Sequence, residues 1–171
     1  MCLFVSIKYH LRFNEDRKFM ELSNTNINFS KEAKHIDNKL SGLKWITPQY
    51  NNDVEEEFLL IKDAIEHLKM DNNKMMVLTH YQFLSAVTEK DLISPSRWFT
   101  TDGVSYPLLG SKYFPEYKKY FKDLLLKNNV NLIYTIKPIG IEAISNIFES
   151  DCLKTTQINK ILYQHQFNKC N

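Results

Sequence analysis

The sequence predicts an α/β fold, a small three-layer sandwich with a mostly parallel, Rossmann-like sheet of about four strands. Segments with strand patterns alternate with segments of helical periodicity, as in parallel α/β sheets. Residues 74–79 contain an unbroken apolar run, which is typical of a strand buried on both faces. The chain of 171 residues is 43% hydrophobic, which is enough for one domain with a buried core.

The N-terminal segment, residues 1–29, is predicted to be the end of a membrane span followed by a juxtamembrane helix. Its first seven residues, MCLFVSI, are apolar but fall short of the roughly 20 residues that a spanning helix needs. KYHLRFNEDRKFMEL follows and is amphipathic and basic at its start, as chains are where they leave a bilayer. An ordinary N-terminal strand and helix is the alternative. On the first interpretation, this chain is the tail of a longer membrane protein, and residues 30–171 form its soluble α/β domain.

A helix and a short strand are predicted before residue 50. Ser30 can cap a helix over KEAKHIDNKL, and Gly42 is placed to end it. LKWIT, residues 43–47, has the pattern of a short buried strand and is closed by Pro48.

The helix predicted from residue 54 to residue 68 has the clearest pattern. Asn52 and Glu55 fit a capping box. Apolar side chains then recur at spacings of three and four, which places them on one helical face. These side chains are Val54, Phe58, Ile61, Ile65 and Leu68.

The second half of the chain continues the alternation of helices and strands. A helix is predicted to begin at Pro115, and β-branched and aromatic residues predict a strand over residues 130–136. IEAISNIFES predicts a short amphipathic helix. Residues 158–167 fit a strand or a helix, and the alternation of side chains favours a strand. Right-handed crossovers would place helices on both faces of the sheet.

The composition excludes several classes of function. Lys and Arg number 22 against 20 acidic residues and are dispersed, so no nucleic-acid partner is indicated. With four glycines and no G-x-G-x-x-G or P-loop pattern, no phosphate-binding cofactor is expected. The cysteines, Cys2, Cys152 and Cys170, form no C-x-x-C, so no metal site is predicted. By spacing alone, a Cys152–Cys170 bridge and unrelated thiols are equally compatible with the sequence.

Ligands of open parallel sheets bind beyond the carboxyl ends of the strands. Three predicted strands end in polar segments there, TPQY, THYQ and IKP. The irregular segment SPSRWFTTDGVSYP, residues 94–107, follows the second of these strands and is expected to fold over the same edge. The candidate binding residues are His80, Tyr81, Gln82, Arg97, Trp98, Asp102 and Tyr106.

Each candidate also has a structural interpretation. His80 is a possible general base, but no nucleophile motif or second histidine accompanies it, so a structural histidine is favoured. Arg97 and Asp102 suit a sugar or phosphate, or else one ion pair that pins the loop. Trp98 and Phe99 suit stacking on a sugar, or burial that anchors the loop in the core. No catalytic residue is predicted.

Four segments together resemble the C-terminal soluble domain of certain bacterial polytopic membrane proteins. These segments are LKWITP, MMVLTHYQF, SPSRWFTTDGVSYPLLG and VNLIYTIKP. Those proteins are similar to GT-C-type glycosyltransferases, the dolichyl-phosphate-mannose–protein mannosyltransferase-like group. The resemblance covers residues 8–170 and implies metal-assisted transfer from a lipid-linked sugar donor by a membrane-helix half. The acidic residues expected to perform that transfer lie in an early extracytoplasmic loop, which has no counterpart in these residues.

The resemblance therefore implies an accessory extracytoplasmic domain that positions a lipid-linked sugar donor or acceptor, with the membrane half as its partner. It favours a Cys152–Cys170 disulfide, since an extracytoplasmic domain can be oxidised. The basic residues beside the predicted span point instead to the cytoplasm. Residues 94–107 would be a rigid lid braced by Arg97. The alternatives are a free-standing small α/β hydrolase or binding protein that uses the edge around His80 with Asp102, and an interaction domain without a ligand.

Overall fold

The computed structural model describes residues 2–12, 25–96, 99 and 105–167. The chain divides into two compact units, Met1–Leu59 and Leu60–Asn171. The division falls within one helix, α2, which runs from Val54 to Met70. Across the described ranges, no helix is both long enough and apolar enough to span a bilayer.

The first unit begins with helix α1, Cys2–Arg12. This helix contains most of the apolar run MCLFVSI and the basic start of the stretch that follows it. The apolar run was predicted to end a membrane span, and the basic stretch was predicted to form a juxtamembrane helix. A separate juxtamembrane helix from residue 8 onward is therefore not observed, and residues 13–24 lie outside the described part of the chain.

The prediction of a helix over residues 31–40 is wrong. Strand β1, Lys31–Glu32, occupies its start, and two 3-10 turns, Ala33–His35 and Asn38–Leu40, follow. The side chain of Asp37 accepts a hydrogen bond from the amide of Lys39 at 2.9 Å. Such a local bond gives the backbone an alternative to the helical hydrogen bonds, which explains why the helix does not form.

The short strand predicted over residues 43–47 exists as β2, Lys44–Trp45, but it is not a buried strand of the main sheet. Within the described ranges it pairs with β1 alone, in antiparallel direction, and Lys44 is exposed whereas Trp45 is half-buried. Glu57 in α2 is buried and accepts hydrogen bonds from the Trp45 indole and the Thr47 hydroxyl, both at 2.9 Å. These bonds attach β2 and the residues directly after it to the first turn of α2.

Helix α2 begins and packs nearly as predicted. The Asp53 carboxylate accepts from the amide of Glu56 at 3.0 Å, so Asp53 caps the helix in place of the predicted Asn52. The five apolar side chains of the predicted face are all buried. The helical periodicity therefore identified the side of α2 that faces the core.

The second unit contains a four-stranded sheet of mixed direction in the order β3-β4-β6-β5. Strand β3, Met75–Leu78, pairs parallel with β4, Leu132–Ile136. Strand β6, Leu162–Phe167, runs antiparallel to β4 and to β5, Leu153–Gln157. The α/β class is confirmed, but the prediction of a mostly parallel, Rossmann-like sheet is wrong, and β5 was not predicted.

A tight hairpin explains the antiparallel half of the sheet. Only residues 158–161 connect β5 to β6, and so short a connection can only reverse the chain, whereas parallel pairing needs a dozen residues or more. The Asn159 side chain accepts from the amides of Ile161 and Leu162 at 2.9 and 2.7 Å, which holds the turn. Strand β6 then takes the place beside β4, where a parallel strand was expected.

Helices lie on both faces of this sheet. Helix α4, Phe114–Asn128, contributes Phe121 and Leu125 to a core that includes Ile133 of β4. Tyr134 points to the opposite face, because side chains alternate along a strand, and it contacts His67 near the end of α2. The short helices α3, Leu84–Thr88, and α5, Glu142–Ser145, follow β3 and β4.

Candidate functional site

A cavity of about 230 Å³ lies at the carboxyl end of β4. Sequence reasoning predicted a ligand site at this end of the strands, because loops there are free to surround a ligand. The loop before α4, helix α4 itself, the turn after β4 and helix α5 all contribute to the wall. The residues that matter most to its chemistry are Tyr106, Leu108, Tyr117, Gly140, Glu142 and Asn146.

The aromatic wall of the cavity is fixed by stacking. The Tyr106 ring stacks on Phe99, with centroids 4.3 Å apart, and on Tyr117 at 5.7 Å. Phe99 is 0% exposed and belongs to the core beneath, as its structural interpretation predicts. Arg97, Trp98 and Asp102 lie outside the described residues, so their roles in ligand binding or ion pairing stay predictions.

The hydroxyl of Tyr117 is the unusual group of this site. Its oxygen is buried and has no hydrogen-bond partner among the described residues. Burial, and secondarily the neighbouring Tyr106 and Tyr120, raise the pKa of Tyr117, so the hydroxyl keeps its proton and remains a donor. Buried hydroxyl groups in native proteins are nearly always paired, so this one requires an explanation.

The polar groups of the cavity come from α5 and the turn before it. Glu142 and Asn146 are four residues apart, which places them on one side of the helix, and both are exposed at the mouth. The Glu142 carboxylate occupies the space that a side chain at Gly140 would take, so it lies directly against this glycine. None of the described lining residues is lysine, arginine or histidine.

The segment after β3 is organised differently from this cavity. The Thr79 hydroxyl accepts from the amide of Tyr81 at 3.0 Å, and the Thr79 carbonyl accepts from Gln82 Nε2 at 3.2 Å. Tyr81 is buried, whereas Gln82 is exposed. These bonds shape the turn. None of the three candidates from this segment lines the cavity, so Tyr106 is the predicted site residue that does.

His80 is half-buried, and its ring centroid lies 4.0 Å from that of Tyr81. Its Nδ1 is buried without a hydrogen-bond partner among the described residues. Burial lowers the pKa of His80 to about 4, so the ring is neutral near neutral pH. A neutral imidazole is able to accept a proton, but no hydrogen bond orients it toward a described nucleophile.

A cluster around Tyr134 was missed by sequence reasoning. The Tyr134 hydroxyl donates to Asp71 Oδ2 at 2.7 Å, accepts from Gln164 Nε2 at 2.9 Å and lies 3.2 Å from His67 Nε2. Burial and the Asp71 carboxylate raise the pKa of Tyr134. Burial alone would raise the pKa of Asp71, but hydrogen bonds from Tyr134 and Asn73 outweigh it and lower that pKa.

His165 is a second buried polar group that the sequence did not single out. It is 0% exposed, with Nε2 2.9 Å from the Thr135 hydroxyl and Nδ1 2.9 Å from the Thr155 hydroxyl. Burial lowers its pKa to about 4, so the neutral ring is held between two hydroxyl groups. Its complete pairing indicates a structural role in joining β4, β6 and β5.

No group of three or more histidine, cysteine or acidic side chains suited to a metal occurs in the described ranges. Cys2 is an exposed free thiol. Cys152 directly precedes β5, and Cys170 lies outside the described residues, so the Cys152–Cys170 disulfide stays a prediction.

Sequence reasoning also missed Tyr117, Glu142 and Asn146 as site residues. A usable signal was the pair Glu142 and Asn146, spaced by one helical turn directly after a predicted strand end. Comparison of the chain with protein-family models, with curated proteins and with solved structures finds no match.

Proposed function

We propose that the second unit is a binding domain that holds a neutral sugar ring in the cavity at the carboxyl end of β4. The observation that carries this proposal is that Tyr117 lines the cavity together with Glu142 and Asn146, and that its buried hydroxyl has no hydrogen-bond partner among the described residues. A hydroxyl group of a bound ligand would give this oxygen a hydrogen-bond partner and remove the cost of its isolation.

The wall suits the two kinds of surface that a sugar ring offers. Glu142 and Asn146 supply a carboxylate and an amide for ring hydroxyls, whereas Leu108, Phe114 and Ala143 supply apolar surface for the C–H face. The volume is below the roughly 300–1,000 Å³ of sites for drug-sized ligands, which favours a ligand about as large as one sugar unit.

The charge of the wall favours the sugar over a phosphate. Glu142 is the one ionisable carboxylate among the lining residues that the structure describes, and no cation accompanies it. An anionic group entering beside this carboxylate would be repelled and unpaired. The cavity therefore suits the neutral ring of a lipid-linked sugar or of an acceptor glycan, with any phosphate held outside it.

The sequence resemblance to GT-C-type membrane glycosyltransferases supplies the larger context of the proposal. In that context the domain is extracytoplasmic, its partner is the membrane-helix half of the protein, and transfer takes place in that half. The domain would then position donor or acceptor, and no described residue of this chain is assigned a catalytic role.

A hydrolase that uses His80 is the second candidate function, favoured by a neutral imidazole whose Nδ1 has no hydrogen-bond partner among the described residues. It predicts turnover of small esters or glycosides by the chain alone, and loss of that turnover in His80→Gln. Binding of a sugar without turnover would favour the first proposal over this one.

Calorimetric titration of the full chain with neutral monosaccharides and their phosphate esters tests the proposal. We expect neutral sugars to bind more tightly than the corresponding phosphates. Tyr117→Phe, which removes one hydroxyl, should weaken binding by about two- to tenfold. Glu142→Gln keeps the shape of the site and should restore part of the affinity for the phosphate esters.

Tyr113→Phe is the matched control. Tyr113 lies next to the start of α4, is 60% exposed and does not line the cavity. This variant should bind sugars like the unmodified protein. The proposal fails if no sugar binds, if Tyr117→Phe binds as tightly as Tyr113→Phe, or if phosphate esters bind best.

A further inference from the structure

Helix α1 presents an apolar stripe to solvent. Leu3, Phe4, Ile7 and Leu11 are 78, 69, 52 and 52% exposed. Their positions fall within an arc of about 100° on a helix of 3.6 residues per turn, the width of an amphipathic face. Residues 2–11 of the helix are all exposed, so the described residues leave this stripe uncovered.

The sides of the helix around this stripe carry positive charge. Lys8 borders the stripe and Arg12 lies one turn further along the same side, whereas α1 contains no acidic residue. Ser6 lies on the side away from Lys8. The helix therefore has a cationic flank beside the stripe, and its opposite side carries Val5 and Tyr9, which are 57 and 66% exposed.

A helix this short and exposed needs a surface to be stable. Isolated helices below about 12–15 residues are marginal in water even with favourable sequences. A second copy of α1 is one conceivable surface, but it would bring further cations to the rim of the stripe with no carboxylate on either helix to pair with them. An anionic lipid surface meets both demands, since it buries the stripe and attracts Lys8 and Arg12.

We propose that α1 lies in the plane of an anionic lipid surface. Leu3, Phe4, Ile7 and Leu11 enter the boundary between headgroups and acyl chains, and Lys8 extends to the headgroups, which also attract the charge of Arg12. It is an alternative to the prediction that these residues end a membrane span. The inference goes beyond sugar binding and does not depend on the cavity, because the lipids need no sugar.

Co-sedimentation of the full chain with lipid vesicles tests the proposal. Vesicles of phosphatidylcholine alone are compared with vesicles that also contain about 30% phosphatidylserine, an anionic lipid. We expect binding to the anionic vesicles, weakened by added salt. Lys8→Gln should reduce the partition coefficient about fivefold, the value of one cation near such a surface.

A pair of matched variants separates insertion from simple charge attraction. Ile7→Asp places a carboxylate in the stripe, and Val5→Asp places the same group outside it, at a residue of similar exposure, 57%. Ile7→Asp should abolish binding to anionic vesicles, whereas Val5→Asp should only weaken it. Equal loss in both variants would overturn insertion.

Two further outcomes would also contradict the proposal. Binding that is equally strong on both vesicles and insensitive to salt would indicate a spanning or purely apolar anchor. Absence of vesicle binding, with self-association that Ile7→Asp removes, would show that a second copy covers the stripe. A protein that binds vesicles but no sugar would uphold this inference while rejecting the proposed function, so the two are tested separately.

Discussion

Tyr134 and Tyr117 are two tyrosines of the second unit whose hydroxyl groups have opposite surroundings. The Tyr134 hydroxyl contacts Asp71, Gln164 and His67 within 3.2 Å. The Tyr117 hydroxyl is equally shielded from solvent but has no partner in the described structure. The first joins α2 to the sheet, and the second belongs to a residue that lines a cavity at the end of β4.

The difference separates structural polar groups from groups available for a ligand. A hydroxyl whose hydrogen bonds are already complete within the fold has little to offer a ligand, because binding would have to break those bonds first. An unpaired hydroxyl destabilises the free protein slightly and becomes favourable when a ligand pairs with it. Opposite effects on stability are therefore expected when each hydroxyl is removed.

Removal of the Tyr134 hydroxyl should have the largest effect. Tyr134→Phe leaves the Asp71 carboxylate and the Gln164 amide without their shared partner, so the free energy of unfolding should fall by about 2 kcal/mol. Urea denaturation followed by circular dichroism measures this change. If the free energy of unfolding fell as little as in the exposed control Tyr113→Phe, the hydrogen bonds around Tyr134 would not stabilise the fold.

His165 and His80 repeat the comparison with a group that titrates. Burial lowers both pKa values to about 4, against a value of 6.5 for an unperturbed histidine. Between these two values the unfolded chain binds more protons than the folded protein. The free energy of unfolding should therefore fall as the pH falls from 6.5 to 4, by at most about 1.4 kcal/mol per pH unit for each histidine.

Variants of the two histidines test this pH dependence through denaturation measured at several pH values. Between pH 6.5 and 4, His165→Gln and His80→Gln should each reduce the dependence of the free energy of unfolding on pH by the contribution of one histidine. Only His165→Gln should also lower stability near neutral pH, because it alone breaks two hydrogen bonds. Asp71, whose pKa is lowered below 3.8, contributes stability that is lost only below this window. An unchanged slope in both variants would contradict the assignment.

The smallest effect is expected at the cavity. Tyr117→Phe removes a buried hydroxyl that has no partner in the described part of the chain, so the free energy of unfolding of the sugar-free protein should stay unchanged or rise by up to about 1 kcal/mol. The same variant should bind sugar more weakly. A fall in stability comparable with that of Tyr134→Phe would mean that the hydroxyl is paired within the fold, and the contrast between the two tyrosines would disappear.

Local patterns predicted the elements that depend on neighbouring residues. The sequence pattern of each of these elements lies within a few consecutive residues. They are the apolar face of α2, the strands β3, β4 and β6, and the helix α4. The prediction of a helix over residues 31–40 is wrong for an equally local reason, since the Asp37 side chain competes for the backbone. Among the candidate site residues, Tyr106 was identified because its loop follows the correct edge of the sheet.

Contacts between residues far apart in the chain could not be predicted from such local patterns. The direction of β6 depends on a hairpin with β5, a strand whose exposed polar residues carry little strand signal. Tyr134 meets Asp71 across a sequence separation of 63 residues, and no pattern in a single sequence marks such a pair.

By itself, the sequence determined that this chain forms an α/β core from amphipathic helices and apolar strands, because periodicity is a property of consecutive residues. Only the tertiary structure decided the mixed direction of the sheet and the complete pairing of Tyr134 and His165. It also decided that the hydroxyl of Tyr117, which lines the same cavity as Glu142 and Asn146, has no partner among the described residues. Hydrogen bonds of buried side chains are completed by residues far apart in the chain, so whether a polar group is structural or available for a ligand becomes visible only once the strands and helices are packed.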